Sequence, residues 1–453
     1  MLRLTFHGGA KMVTGSNYLL EHTAENVLGT KNKELRTRIL IDCGLHQGSN
    51  FCERHNWEPF PYDVASIDAV CITHAHIDHT GRLPKLVKDG YKGKIYSTSA
   101  TRDAAELLLY DSDHILSQDA EKFKLPRLYD ETDVQRLMAQ WEGIEYHKPV
   151  RQGPFTVTLW NAGHILGSSF VEVKVDKEKI IFSGDLGNSP APIIGPYEMY
   201  NGGATYALVE SPYGDRLHER SGERKEILER LIQDTVTAGG TLIMPAFAME
   251  RTQEILAELD SLIEQKRIPN IPVFLDSPLA IKLTEIYKRH SGEFKEHADF
   301  SFPGLTMTLT TEESKHINDV PAPKMIIAGS GMSHGGRILH HEMRYLPDPK
   351  STLVIVGYQA QGSLGRLLLD GAPMVKIYGE QIPVRCKIKA IGGYSAHADQ
   401  AQLLTWVTPM RVTLKEVFVV QGEEKASAAL AAKITDTLAV HTHIPSLGEE
   451  VSL

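Results

Sequence analysis

Long apolar runs are missing from this chain. None approaches the roughly 20 residues that a membrane-spanning helix needs, which excludes an integral helical membrane protein. The opening Met1-Leu2-Arg3-Leu4-Thr5-Phe6 alternates like a strand and has no signal-peptide pattern. Cysteine is scarce: Cys43, Cys52, Cys71 and Cys386 show no paired zinc spacing and do not read as a disulfide framework. Cys43 and Cys71 sit in apolar strand contexts, where buried free thiols are the default. Internal repeats and low-complexity stretches are absent. So is an excess of basic charge. Lys and Arg number 48 against 57 Asp and Glu, a net charge of -9, so no global electrostatic argument favours nucleic acid. A phosphate polymer would need a local basic channel. These absences together favour the cytoplasm. The remaining texture, 42% hydrophobic and 23% charged over 453 residues, is that of a globular protein of two or three domains.

Histidine is what the chain has in plenty, at 20 residues. Three of them and one aspartate fall together in Cys71-Ile72-Thr73-His74-Ala75-His76-Ile77-Asp78-His79. The apolar run Asp68-Ala69-Val70-Cys71-Ile72 before them predicts a short buried strand. Gly81, Leu83 and Pro84 after them predict a helix entry, where proline is tolerated. The polar cluster therefore sits where a strand ends and a helix begins, the usual place for a site in open α/β folds. Imidazole and carboxylate are zinc ligands, and a catalytic zinc site keeps one position open.

The same layout recurs. Asp42 closes the strand Arg38–Gly44, His164 follows Phe155–Trp160, Asp185 follows Ile180–Ser183, and Glu210 closes Ala207–Val209. Any one of these is ordinary, and a lone Asp42 serves equally well as a turn cap. Their repetition suggests one rim of one sheet. Residues 22–36 predict an exposed hairpin or loop, and residues 100–140 carry helical periodicity.

From about 211 strands and helices alternate, which predicts a compact α/β unit. A charged amphipathic helix is expected from Arg216 to about Thr237. The apolar runs 326–332 and 353–357 are each followed by glycines and a basic residue, in Gly335-Gly336-Arg337 and Gly365-Arg366. Such turns can cradle phosphate or simply be tight turns. Gly392-Gly393-Tyr394-Ser395-Ala396-His397-Ala398-Asp399 precedes a helix over 399–407, and a strand over 417–423 precedes another from about Lys425. His441 and His443 read as an exposed turn, and the tail 445–453 as a final short strand.

Taken together these motifs resemble the metallo-β-lactamase superfamily, and within it the β-CASP nucleases. The similarity runs almost end to end. Asp42, the His74-x-His76-x-Asp78-His79 run, His164 and Asp185 match the four superfamily motifs in order, while Glu210 and His397 match the first two β-CASP motifs. The resemblance implies an α/β fold: a four-layer αβ/βα sandwich over residues 1–210 with an inserted α/β cap domain over 211–380. The chain would then return to the first domain over 381–453, and the active site would lie in the cleft between domains. It implies two Zn2+ ions, one held by His74, His76 and His164, the other by Asp78 and His79, with Asp185 bridging. Asp42 would orient a ligand histidine, and His397, held by Glu210, would act as general acid. The alternative for His397, less favoured, is a structural residue at a helix start. The implied substrate is RNA, single-stranded, cut internally by water to leave 5′-phosphate and 3′-hydroxyl ends. Members of the branch often dimerise, so a homodimer is compatible. Ser330, Gly331, Arg251, Arg337 and Arg366 are the candidates for substrate contact, each arginine equally plausible as an ordinary ion-paired side chain.

One position departs from the pattern. RNA-cleaving members usually carry histidine in a Val-His-Gly-Glu run, as a ligand of the second metal. This chain has Val420-Gln421-Gly422-Glu423. A carboxamide oxygen is a poorer zinc donor than imidazole, so a weakened second site is expected. Three functions stay open on this basis: a ribonuclease, an RNA-binding scaffold with little catalysis, and a DNA nuclease or other metallohydrolase.

Overall fold

The computed structural model describes residues 1–24, 36–48, 53–218, 223–295, 298–357, 359 and 362–453. Most of the loop expected over 22–36 lies outside the described residues, as does Cys52. Cys43, Cys71 and Cys386 are buried free thiols. Among the described residues no helix is long and apolar enough to cross a membrane. The chain divides into two compact units. One comprises Met1–Ser189, Pro196–Leu217 and His397–Leu453; the other comprises Pro190–Gly195 and His218–Ala396.

The first unit is built on two seven-stranded sheets. In the first, the strands run in the order Glu450–Ser452, Leu2–Phe6, Tyr18–Thr23, Arg36–Ile41, Ala69–Cys71, Lys94–Ser97 and Trp141–Gly143. In the second the order is His441–His443, Glu416–Val420, Tyr206–Glu210, Glu178–Phe182, Ser169–Val175, Phe155–Asn161 and Val150–Gln152. Period-two alternation decides which side chains meet. Leu4, Phe6, Ile39, Ile41, Ala69 and Cys71 of the first sheet share one core with Phe155, Val157, Leu159, Val171, Val173, Phe182, Leu208 and Phe418 of the second. The alternate residues Ile181, Ala207, Val209, Val417 and Val419 face the other way. They form a second core with Leu403, Trp406 and Val407 of the helix Gln400–Val407 and with Leu430 and Ile434 of the helix Glu424–Leu438. On the outer side of the first sheet the helix Ser99–Phe123 packs on the strand Trp141–Gly143. Sheet thus lies on sheet, with helices outside.

Strand directions fix where the loops fall. Arg36–Ile41 and Ala69–Cys71 are parallel. Glu178–Phe182, Tyr206–Glu210 and Glu416–Val420 are also parallel. Phe155–Asn161 runs the same way, being separated from Glu178–Phe182 by one antiparallel strand. The C-terminal ends of the strands before His164, Asp185 and Gln421, and that of the strand that Glu210 closes, therefore share one rim of the second sheet.

The second unit carries a six-stranded sheet, all parallel, in the order Leu305–Met307, Val273–Asp276, Lys324–Ala328, Thr241–Pro245, Thr352–Ile355 and Lys387–Ala390. Its central strands are continuous apolar runs, as expected of strands buried on both faces. The expected helix from Arg216 begins later, at Arg224, and ends at Ala238 with Gly239 in the left-handed conformation. His441–His443 is not a turn but an edge strand pairing in parallel with Glu416–Val420.

Asp276, at the end of its strand and fully buried, anchors this unit. It accepts hydrogen bonds from Arg337 Nη1 (2.7 Å), Thr308 Oγ1 (2.6 Å), Ser314 Oγ (2.6 Å) and His341 Nε2 (2.8 Å). Burial opposes its charge, but the hydrogen bonds from His341, Ser314, Thr308 and Arg337 outweigh this and hold the carboxyl well below the usual range. Removing one partner of a buried ion pair costs about 3–5 kcal/mol. Asp276→Ala should therefore lower protection of the strand Lys324–Ala328 by about that amount in native-state hydrogen exchange. A loss under about 1 kcal/mol would show that water replaces the network.

Candidate metal centre

The rim of the first unit gathers the strand-end residues. Asp42 lies one residue beyond Ile41 with φ 59°, a left-handed conformation that Asp tolerates. Its carboxylate is an acceptor hub. Thr73 donates to it from its backbone N–H (2.9 Å) and from Oγ1 (2.9 Å to Oδ2), and His79 Nδ1 lies 2.7 Å from Oδ2. Thr73 Oγ1 also lies 3.0 Å from His74 Nδ1. One hydroxyl thus links Asp42 to the ring of His74. Gly44 lets this loop close, because a Cβ there would sit 1.5 Å from the carbonyl oxygen of Asp78.

His74, His76, His164 and Asp185 bring one donor atom each within 4.8 Å of all the others. His74 Nε2 is 3.1 Å from His76 Nδ1, and His164 Nε2 is 3.3 Å from the same nitrogen. Asp185 Oδ2 lies 3.4 Å from His74 Nε2 and 3.5 Å from His164 Nε2. A tetrahedron with zinc–nitrogen bonds of about 2.0–2.1 Å has edges of about 3.3–3.4 Å. The donor set fits a four-coordinate zinc in kind and in spacing. Burial lowers the proton affinity of all three rings, helped by their neighbours His79, His74 and His397 respectively. Neutral imidazole is the form that ligates metal. Burial opposes the charge of Asp185, but the surrounding histidines outweigh it and hold the carboxyl well below the usual range.

The other oxygen of Asp185, Oδ1, points at His79 Nε2, 3.3 Å away, and Asp78 Oδ2 lies 3.9 Å from that nitrogen. Gln421, 2% exposed, enters here too: its Nε2 is 2.9 Å from Asp185 Oδ1 and 3.0 Å from His79 Nε2.

His397 stands at the edge of the cluster. Its ring centroid is 4.7 Å from that of His164, and its Nδ1 donates to Glu210 Oε2 at 2.9 Å and lies 3.7 Å from Asp185 Oδ2. Glu210 is fully buried, with its Oε1 accepting from the backbone N–H of Leu186. Burial works against the proton of His397, but the carboxylates of Glu210 and Asp185 push the ring up to about 9. Burial raises Glu210 to about 7 against the pull of His397.

The residues suggested for substrate contact lie in the second unit. Ser330 Oγ accepts from the His334 backbone N–H, and Gly331 offers its carbonyl to Gln359. Arg337 reaches Asp276 and the carbonyls of Thr308 and Leu309, and Arg366 pairs with Asp370 at 3.0 Å. Arg251 is not available to line a channel. It is 6% exposed, ion-paired with Glu254 and held 5.4 Å over the ring of Tyr394. Thr73, quoted in the histidine run, is the residue whose part residue type alone did not reveal.

Comparison with known proteins follows the same lines. Residues 33–197 match the metallo-beta-lactamase superfamily domain, 252–368 the Beta-Casp domain, and 381–445 the Zn-dependent metallo-hydrolase RNA specificity domain. The chain therefore belongs to the β-CASP branch of the metallo-β-lactamase superfamily. It is 37% identical over 444 residues to Ribonuclease TTHA0252 of Thermus thermophilus, covering 95% of each chain. It is 30% identical over 458 residues to the RNase J-like protein of Methanocaldococcus jannaschii, covering 99% of each. To transcription termination factor FttA of Methanosarcina mazei it is 30% identical over 477 residues, 100% of this chain and 72% of that one. A solved structure of a protein of unknown function from Enterococcus faecalis aligns over 100% of both chains with a TM-score of 0.58 at 14% identity, a likeness of fold alone.

Hydrogen-bonding partners of ligand histidines usually govern metal affinity by 10–100-fold. Thr73→Val keeps the shape of the side chain and removes the hydroxyl that braces His74. Zinc affinity, measured by competition with a chelator, should fall by about 10–100-fold while the far-ultraviolet dichroism stays unchanged. Unaltered affinity would show that the hydroxyl is incidental.

Proposed function

We propose that this chain is a zinc-dependent ribonuclease that cuts single-stranded RNA internally, leaving 5′-phosphate and 3′-hydroxyl ends. The observation that carries the reading is the placement of His397 beside the four-donor set, with Glu210 behind it. His74, His76, His164 and Asp185 would hold the metal. The chemistry that zinc supplies at such a site is Lewis acidity, which acidifies water and offsets phosphate charge.

The chain's own groups do the rest. Asp42, through Thr73 and His79, fixes the rings in one orientation. Asp78 lends a further carboxylate beside His79. Glu210 takes the Nδ1–H of His397, which directs the ring's other nitrogen away from the carboxylate. From there it can deliver a proton to the departing 3′ oxygen. General acids of this kind contribute about 10²–10⁴-fold. The ribonuclease named among the relatives supports RNA as the polymer. Ser330, Gly331, Arg337 and Arg366 are the proposed substrate-contact residues.

A second reading, an RNA-binding protein with little catalysis, is favoured by one observation: the amide of Gln421 lies between His79 and Asp185. End-labelled RNA and DNA of one sequence, incubated with zinc-loaded protein, separate the readings. Internal RNA products with 5′-phosphate ends are expected. RNA retained without cleavage supports the second reading, and cleavage of DNA alone overturns both. His397→Ala should lower the RNA rate by about 10²–10⁴-fold without altering metal content.

The pH profile provides an independent check. A general acid works while protonated, so the rate should fall as pH rises through the His397 value of about 9. Glu210→Gln removes the carboxylate that raises this value, so the alkaline limb should move to lower pH. A limb that stays in place would remove Glu210 from this role.

A further inference from the structure

We propose that this chain holds one divalent metal tightly, on His74, His76, His164 and Asp185, and that the Gln421 carboxamide closes the adjoining position against a second. The inference rests on the metal-centre part of the reading above and is independent of RNA as the substrate. The adjoining position is defined by donors already described. Asp185 Oδ1 and His79 Nε2 are 3.3 Å apart, and Asp78 Oδ2 is 3.9 Å from that nitrogen. Two lone pairs at this separation would suit a shared cation.

The amide serves them instead. In its neutral form, the form that ligates metal, His79 gives its Nδ1–H to Asp42, 2.7 Å away, and keeps a lone pair on Nε2. Gln421 Nε2 carries two hydrogens. One points to Asp185 Oδ1 at 2.9 Å and the other to His79 Nε2 at 3.0 Å. The orientation is forced by the neighbours: the reversed amide would set Oε1 against a carboxylate oxygen with no proton between them. A cation inverts this preference. It would require Oε1 inward, lose both hydrogen bonds from the amide N–H groups, and receive in return a neutral oxygen, a weaker donor than the imidazoles and carboxylates around it.

The backbone pins the side chain in this place. Gln421 has φ 51° and donates its N–H to the Gly9 carbonyl at 2.6 Å. Gly9 packs so closely that a Cβ there would lie 2.4 Å from the Tyr18 hydroxyl and 3.2 Å from Gln421 Cγ.

Zinc content per chain after exhaustive dialysis tests this directly. One ion is expected in the unaltered protein and two in Gln421→His and Gln421→Glu, both of which exchange the amide for a competent ligand. In calorimetric titration of the apoprotein, the second zinc should bind at least about tenfold more weakly than the first, with the gap closing in both variants. Two ions retained by the dialysed, unaltered protein would overturn the proposal. So would variants that are folded by circular dichroism yet retain only one. The single ion should be lost in His164→Ala, and its retention there would place it elsewhere and overturn the assignment. Failure to cleave RNA would defeat the functional reading alone and leave the metal count standing.

Discussion

Buried lone pairs that face one another set the terms for the first unit. His76 Nδ1 meets both His74 Nε2 and His164 Nε2 within 3.3 Å, and Asp185 closes the ring. A single proton can satisfy only one of those contacts, and His74 and His164 are buried away from water. A cation satisfies all of them at once. The sheets, with their parallel strands ending on a common rim, are what hold these repelling atoms together, and the apolar core between the sheets stabilises that arrangement.

The hydroxyl and carboxylate layer behind the donors matters as much as the donors themselves. Asp42, Thr73 and Ser16 form a hydrogen-bonded floor beneath His74 and His79. Glu210 does the same for His397; its carboxylate accepts from the Leu186 backbone N–H, and its own backbone N–H donates to the Ser183 hydroxyl. His74, His79 and His397 thus each have one face towards the cluster and one face fixed by a partner within the same unit. The second unit follows a similar economy around Asp276, where one carboxylate satisfies four donors.

Much of this was legible in the residues. Apolar runs such as Ile39–Ile41 and Ile180–Phe182 end in a polar side chain, and that signature located Asp42, Asp185, His164 and Glu210 at strand ends. Alternating strand and helix texture announced the α/β character of the second unit. The rest depended on partners far away in sequence. Arg251 looks like a surface cation until Glu254 and Tyr394 close around it. His441–His443 has three residues and no apolar alternation; only pairing with Glu416–Phe418 makes it a strand. Thr73 reads as an unremarkable hydroxyl, since nothing in its neighbours along the chain reports that Asp42 lies 2.9 Å away.

The order of strands in the second sheet has a consequence for assembly of the protein. Tyr206–Glu210 and Glu416–Val420 are neighbours, and Ser211 reaches Val420 across 209 positions of chain. Closing so long a loop adds little free energy, because the entropic cost grows only logarithmically, by about 0.6 kcal/mol per doubling of length. In time the demand is heavier: contacts so remote form slowly. Until the later strand arrives, the earlier one is left with an unpaired edge, the feature through which nascent sheets aggregate. The inserted unit therefore makes the birth of the first one a problem of waiting, shorter the sooner the insert folds and brings its two ends together.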